Sequence, residues 1–199
     1  MLNLRKACDA DSGIATAASA TPTTQIAEGV VYPQNRVTVT AFRVDHAAGS
    51  TAAFGYRIDY AGRSVVISGD TRPSGNLVKF AQSADVLIHG VIAVAAGALK
   101  ASERAKQTVG VHTSPEDAGR IFDRVKPKLA VYTHVSLVGG PAAQARLAAE
   151  LVPRTRATYS GAVEVGEDLY DDRGRRPRGS APVHASSMNP FMDAGPRKR

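Results

Sequence analysis

The stretch Ser64–His89, SVVISGDTRPSGNLVKFAQSADVLIH, decides how this chain is read. It opens on a β-branched run, SVVIS, that closes at Gly69-Asp70-Thr71, continues through a short helical pattern at Asn76–Ser83, and ends in a second apolar run, DVLIH. A short apolar run without alternation suits a strand covered on both faces. Strand, polar residue, helix and strand together begin a β-α-β rhythm, and in such layered folds the loops at one end of the sheet are where ligands bind. Asp70 stands in one of those loops.

Toward the N-terminus, Arg36–Val44 (RVTVTAFRV) alternates, with Val37, Val39, Ala41 and Arg43 on one face, which predicts a strand with His46 just past its end. Ala53–Tyr60 and Ser64–Ser68 flank Ala61-Gly62-Arg63, a short glycine-containing connection that predicts a hairpin. Toward the C-terminus, Val91–Thr108 is alanine-rich with late charges and reads as a loose helix or lid. At Thr113–Val125 the helix signals are stronger. Ser114 can cap, Pro115 suits the first helical position, Glu116 and Asp117 favour the positive end of the dipole, and Ala118, Ile121, Phe122 and Val125 form an apolar stripe. His112 directly precedes that helix. Lys128–Thr133 (KLAVYT) predicts another buried strand, ending at His134. Pro141–Leu151 predicts a helix after Gly139-Gly140, and Ala157–Val165 a last strand pair.

With 199 residues and 43% hydrophobic content, the chain is long enough for one domain with a core. The expected division is an irregular leader at 1–28, a domain at 29–170 and a basic, disordered tail at 171–199. The net charge is +7, and the last 29 residues carry more than half of it through seven Lys or Arg against three Asp. A nucleic-acid-binding module resting on that tail alone lacks the interleaved aromatics of a stacking platform. Cys8 is the single cysteine, which excludes an intrachain disulfide and a cysteine-based zinc cluster, so any metal must be held by His and carboxylates. No apolar run approaches a membrane span, and Met1–Ala10 has no apolar signal core, so a cytoplasmic protein without a membrane partner is expected.

Four polar residues fall at predicted strand ends or at a helix start: His46, Asp70, His112 and His134. Asp85 begins a strand and reads as a turn or capping group. Taken singly, each of the four also has an ordinary structural use. Taken together, Val-Asp-His at 44–46, Phe-Gly-Tyr-Arg at 54–57, Ser-Gly-Asp-Thr-Arg at 68–72, Asp-Val-Leu-Ile-His at 85–89, His-Thr-Ser-Pro-Glu-Asp-Ala-Gly at 112–119 and Leu-Ala-Val-Tyr-Thr-His at 129–134 resemble the second half of metallo-β-lactamase-fold hydrolases. The resemblance runs from about Gly29 to Asp168 and is to the ribonuclease Z and arylsulfatase-like branch. It implies an α/β fold: half of an αββα sandwich, a mixed sheet with covering helices.

The resemblance also implies roles. His46 and His134 would each ligate one of two zinc ions, Asp70 would bridge them, and His112 would give a proton to the leaving group. Neutral imidazole and carboxylate suit zinc, and two such ions can acidify a shared water while clamping a phosphodiester oxygen. The three metal residues should therefore converge, although 24 and 64 positions separate the successive pairs.

This sequence departs from that branch in three places. The signature His-x-His-x-Asp-His occurs nowhere among its five histidines, so the zinc site is incomplete and the chain reads as truncated. Gly90 follows His89 where ribonuclease Z-like members carry a glutamate that orients the catalytic histidine. A tight hairpin at Gly62 stands where those proteins extend a long arm toward transfer RNA, which shifts the expected substrate toward a small phosphodiester or a sulfate ester and leaves RNA as a further candidate. A homodimer is compatible with this reading. The alternative to an enzyme is an inactive remnant or an interaction module.

Overall fold

A computed structural model describes residues 26–46, 52–101 and 103–166. The expected tail at 171–199 and nearly all of the leader lie outside those residues, and so does His184.

Among the described residues, seven strands form one mixed sheet in sequence order: β1 (Gly29–Gln34), β2 (Val37–Val44), β3 (Ala53–Tyr60), β4 (Arg63–Ile67), β5 (Val86–Val94), β6 (Leu129–Val138) and β7 (Val163–Val165). The first four are antiparallel neighbours; β4 to β7 run parallel. The helices are α1 (Gly75–Phe80), α2 (Ala98–Ala101), α3 (Glu103–Gly110), α4 (Pro115–Val125) and α5 (Pro141–Thr155). This layered α/β arrangement, a mixed sheet with covering helices, is the one expected from the sequence.

The alternation in each strand sorts side chains to two unlike faces. Phe42, Val66, Leu87, Ala130 and Tyr132 point to the face covered by α1, α4 and α5, where they meet Leu77, Ile121, Phe122, Leu147 and Leu151, all buried. Burying side chains of this size stabilises by about 1.5–3 kcal/mol each. Phe42 stacks on Phe80 at 4.7 Å, and its ring fills the space beside Gly55, where a Cβ would lie 2.5 Å from it. On the opposite face the register aligns Tyr56, Ile58, Val65, Ile67, Val86, Ile88, Leu129 and Val131, and these remain partly exposed.

Several sequence-based expectations are corrected. β5 continues to Val94, so Val91–Val94 is strand and the helical segment begins only at Ala98. Its continuation pairs with the far part of β6, from Val91↔Val135 to Val94↔Val138, and this partner was not foreseen because β6 was expected to stop at Thr133. The expected last strand pair is one short strand, β7. β1, unread in the sequence, pairs with β2 through a bulge between Val30 and Tyr32 that breaks its alternation. Helix α4 starts as expected: Ser114 Oγ accepts from the Asp117 N–H at 3.1 Å.

Candidate functional site

Because β2 and β4 point the same way as parallel β5 and β6, their C-terminal ends share one edge of the sheet. His46 follows β2, Asp70 follows β4, and His112 lies between α3 and α4. His134 interrupts β6: it is the extra residue between Thr133, paired with Gly90, and Val135, paired with Val91. Its φ of 44° puts it in the left-handed region, a conformation rare for non-glycine residues that re-aims its side chain from the strand's alternation.

One ligand atom from each of His46, Asp70 and His112 lies within 4.8 Å of the others. His134 also meets the carboxylate, its Nε2 3.3 Å from Asp70 Oδ2. The ring centroids of His46 and His112 are 5.1 Å apart, and those of His112 and His134 5.7 Å. Thus the structure brings together all four side chains singled out in the sequence. The carboxylate is about 39% exposed and the His134 side chain about 52%, so solvent reaches the group.

Hydrogen bonds fix two of the imidazoles. His46 Nδ1 lies 3.1 Å from the Val111 carbonyl oxygen, and His112 Nδ1 lies 2.7 Å from that of Thr108. A carbonyl oxygen only accepts, so each Nδ1 carries the proton and, in the neutral ring, Nε2 keeps the lone pair. Two neutral imidazoles oriented by outer hydrogen bonds beside one carboxylate form a donor set that suits a divalent metal of the zinc type.

A threonine hub that the sequence did not reveal holds the loops in place. Thr71 Oγ1 accepts from the Asp45 N–H at 3.1 Å and donates to the Arg72 carbonyl at 2.7 Å. Thr113 Oγ1 donates to the Thr71 carbonyl at 2.7 Å, tying the His112 segment to the Asp70 loop. Both threonines are buried. Ser68 Oγ donates to the Gly69 carbonyl and accepts from the Gly90 N–H. Gly69 has φ 63°, and a Cβ there would meet the Phe54 carbonyl oxygen at 2.6 Å. Sequence could have hinted at the glycine through its turn position, but it offers no signal for the threonine pairing across 42 positions.

His89 lies on the other side of β5. It is fully buried, neither ring nitrogen has a hydrogen-bond partner among the described residues, and its ring meets Phe122 edge-on at 5.8 Å. Burial pushes its imidazole down to about 4. Gly90, its neighbour, leaves the floor of the site open: a Cβ there would sit 3.7 Å from Asp70 Oδ1 and 3.9 Å from His134 Cβ.

Two grooves open nearby and far away. The near one, about 500 Å³, is lined by Ile88, Val131, Thr133, His134, Val135 and Ser136 on the partly exposed face. The far one, about 270 Å³, lies at the opposite edge, around Arg57, Arg63, Asp85 and Lys128. There Asp85 does more than the expected capping: it accepts from the Ser64 N–H at 2.7 Å and from Lys128 Nζ at 2.5 Å. Hydrogen bonding from Lys128 holds its carboxyl below the usual carboxylate range.

Among proteins of known sequence, ribonuclease Z of Mycobacterium avium (strain 104) is 32% identical over 145 residues, which is 72% of this chain and 49% of that protein. Ribonuclease Z of Mycobacterium tuberculosis (strain H37Rv) is 31% identical over 142 residues, 71% of this chain and 50% of its own length. The chain thus spans about half the length of these curated relatives. Among solved structures, the metallo-beta-lactamase fold protein YhfI of Bacillus subtilis superimposes with a TM-score of 0.56 at 19% identity, covering 76% of this chain and 56% of that one, a likeness of fold. The model of the beta-lactamase superfamily domain matches residues 6–135, a stretch that contains His46, Asp70, His112 and His134, and by that match the chain belongs to the beta-lactamase superfamily domain family.

Proposed function

We propose that this chain is the metal-holding half of a divalent-metal-dependent hydrolase of phosphodiesters, with zinc as its metal and RNA or a smaller phosphodiester as its substrate. The observation that carries this reading is the meeting of His46, Asp70 and His112 within 4.8 Å, with His134 beside the same carboxylate. His46 and Asp70 hold the metal; of the other two histidines, one completes the ligand set and the other handles the proton of the leaving group. The family resemblance gives His134 to the metal and His112 to the proton. When bound, the metal supplies a Lewis acid for an ester oxygen and acidifies a water. The relatives named ribonuclease Z favour a phosphodiester over a sulfate ester.

The donors in hand are fewer than a two-metal centre needs, since no His-x-His-x-Asp-His occurs in the 199 residues. In this reading a segment carrying that motif completes the site. Zinc titration of the chain should therefore give weak binding at fewer than two ions per chain, lost on Asp70→Ala. Hydrolysis of a bis-aryl phosphate by the chain alone should stay at background. Two zinc ions retained through dialysis, with a diesterase turnover that Asp70→Ala abolishes, would mean a complete centre and overturn the half-site reading. Zinc binding that is absent, or indifferent to Asp70→Ala, would overturn the metal reading.

A second reading is an interaction module without catalysis. The partly exposed apolar face of β3 to β6 favours it, since a contiguous apolar surface marks a place where another protein surface packs. Loss of zinc binding together with tight association of a partner would support it.

A further inference from the structure

Arg72 is rooted between two members of the site. It stands two residues past Asp70, and its backbone N–H donates at 2.9 Å to the Asp45 carbonyl, the one that leads into His46. Thr71 is buried and turned into the hub, where its Oγ1 takes the Asp45 N–H and its carbonyl takes the Thr113 hydroxyl. The residues on either side of Thr71 open to solvent instead: Asp70 partly, Arg72 fully. Several other arginines are neutralised within the fold, Arg57 by Asp59, Arg63 by Asp85 and Arg154 by Glu116. Asp45 and Asp70 are acidic neighbours of Arg72, yet its guanidinium makes no ion pair with either, and no hydrogen bond or ring contact among the described residues. Its anchor is fixed by the hub while its long side chain keeps all five N–H donors for a ligand.

We propose that Arg72 determines specificity for phosphate: its guanidinium holds a non-bridging oxygen of a phosphodiester seated at His46 and Asp70. The inference rests on the phosphodiester reading above and deepens it. A phosphodiester is a monoanion whose charge is shared by two non-bridging oxygens, so one can face the His46 and Asp70 group while the other takes N–H donors from Arg72. The planar fork of a guanidinium matches phosphate oxygens in geometry as well as charge. A neutral carboxylic ester offers no second charged oxygen, so Arg72 sets a preference for phosphodiesters, and RNA supplies one at every residue. Phosphate contacts position a strand without reading its bases, so this preference is for backbone and not for sequence.

The test is fluorescence anisotropy of a short labelled oligouridylate titrated with the full 199-residue chain at several salt concentrations, with Zn2+ present, in the wild type, Arg72→Ala, Arg72→Lys and Arg36→Gly. Arg36 is a control of equal charge: it is exposed in the turn between β1 and β2, at the opposite edge of the sheet, and its φ of 62° suits glycine. The basic tail is the same in all four chains and contributes equally. Each replaced side chain is exposed and the Arg72 N–H is kept, and far-UV circular dichroism checks that every variant folds. The expected result for Arg72→Ala is an affinity about 10-fold weaker and a salt slope smaller by about 0.7, the share of one phosphate contact on a single strand. Arg72→Lys should restore the slope, and Arg36→Gly should match the wild type. Zinc titrations, read by competition with a chromophoric chelator, should agree between the wild type and Arg72→Ala. No loss in Arg72→Ala, an equal loss in Arg36→Gly, an Arg72→Lys slope as low as that of Arg72→Ala, or a wild type that binds zinc and no oligouridylate would each overturn the assignment and leave the metal reading standing. So would a zinc affinity that falls together with the RNA affinity in Arg72→Ala, which would make the residue a brace of the Asp70 loop. A wild type that binds no Zn2+ would overturn the metal reading and the proposal with it.

Discussion

His89 shows how far a single residue can be read. It ends the apolar run DVLIH, and strand alternation sends it to the helix side, into contact with Phe122 and away from any polar partner among the described residues. That outcome carries a pH signature. The folded imidazole titrates at about 4, below the 6.5 of the free group, so the unfolded chain binds the extra proton. Stability from this group is complete above about pH 6.5, falls as pH drops toward 4, and changes no further below that. The difference is worth about 3 kcal/mol. Urea denaturation between pH 7 and pH 4 should show this loss in the wild type, and His89→Leu should flatten it; an unchanged slope in the variant would assign the loss to other groups. His46, Asp70, His112 and His134 were easier to find, because polar residues at strand ends need no knowledge of side-chain contacts. Thr71 and Thr113 look like ordinary loop threonines until the chain brings them together.

Elements were legible where local chemistry alone decides them. Helix α4 carries its own cap, dipole and stripe, and it starts where those signals place it. The β2 strand follows from its alternation and the β3–β4 hairpin from the Ala61-Gly62 turn, with positive φ at both residues. The ends of β5 and β6 were not legible, because each extends only by pairing with the other, a contact between residues more than forty positions apart. At the centre of that pairing, His134 adopts φ 44° to take up one extra residue. A left-handed conformation costs a residue with a Cβ about 1–2 kcal/mol. His134→Gly should therefore be more stable than His134→Ala by about 1 kcal/mol in chemical denaturation, the reverse of the usual order in a strand interior. Equal stabilities would mean that the bulge relaxes when the imidazole is removed.

For the molecule as a whole, the β-α-β rhythm pointed to a layered α/β fold and the family resemblance to half of an αββα sandwich with a mixed sheet, while the unlike character of the two sheet faces emerged only from the register. The tail past Asp171 lies outside the described residues, and its Arg, Pro, Gly and Ser content offers little apolar surface to offset the entropy of ordering. Deleting everything after Tyr170 should leave the melting temperature within about 2 °C, a shift worth less than 1 kcal/mol for a domain of this size; a substantially larger drop would mean that the tail is packed. No helix among the described residues is long and apolar enough to cross a membrane. The two edges of the sheet also divide the labour. At one edge Asp85 fastens the starts of β4 and β6, through the Ser64 N–H and the Lys128 ammonium, and at the other edge His46, Asp70 and His112 stand on loops beside His134 in the bulge of β6. Variation in sequence should therefore have different consequences at the two ends: replacements around Asp85 tax the durability of the scaffold and leave the His46, Asp70, His112 and His134 group in place, whereas replacements in the loops beyond β2, β4 and β5 reshape that group on a frame that stays clamped from below.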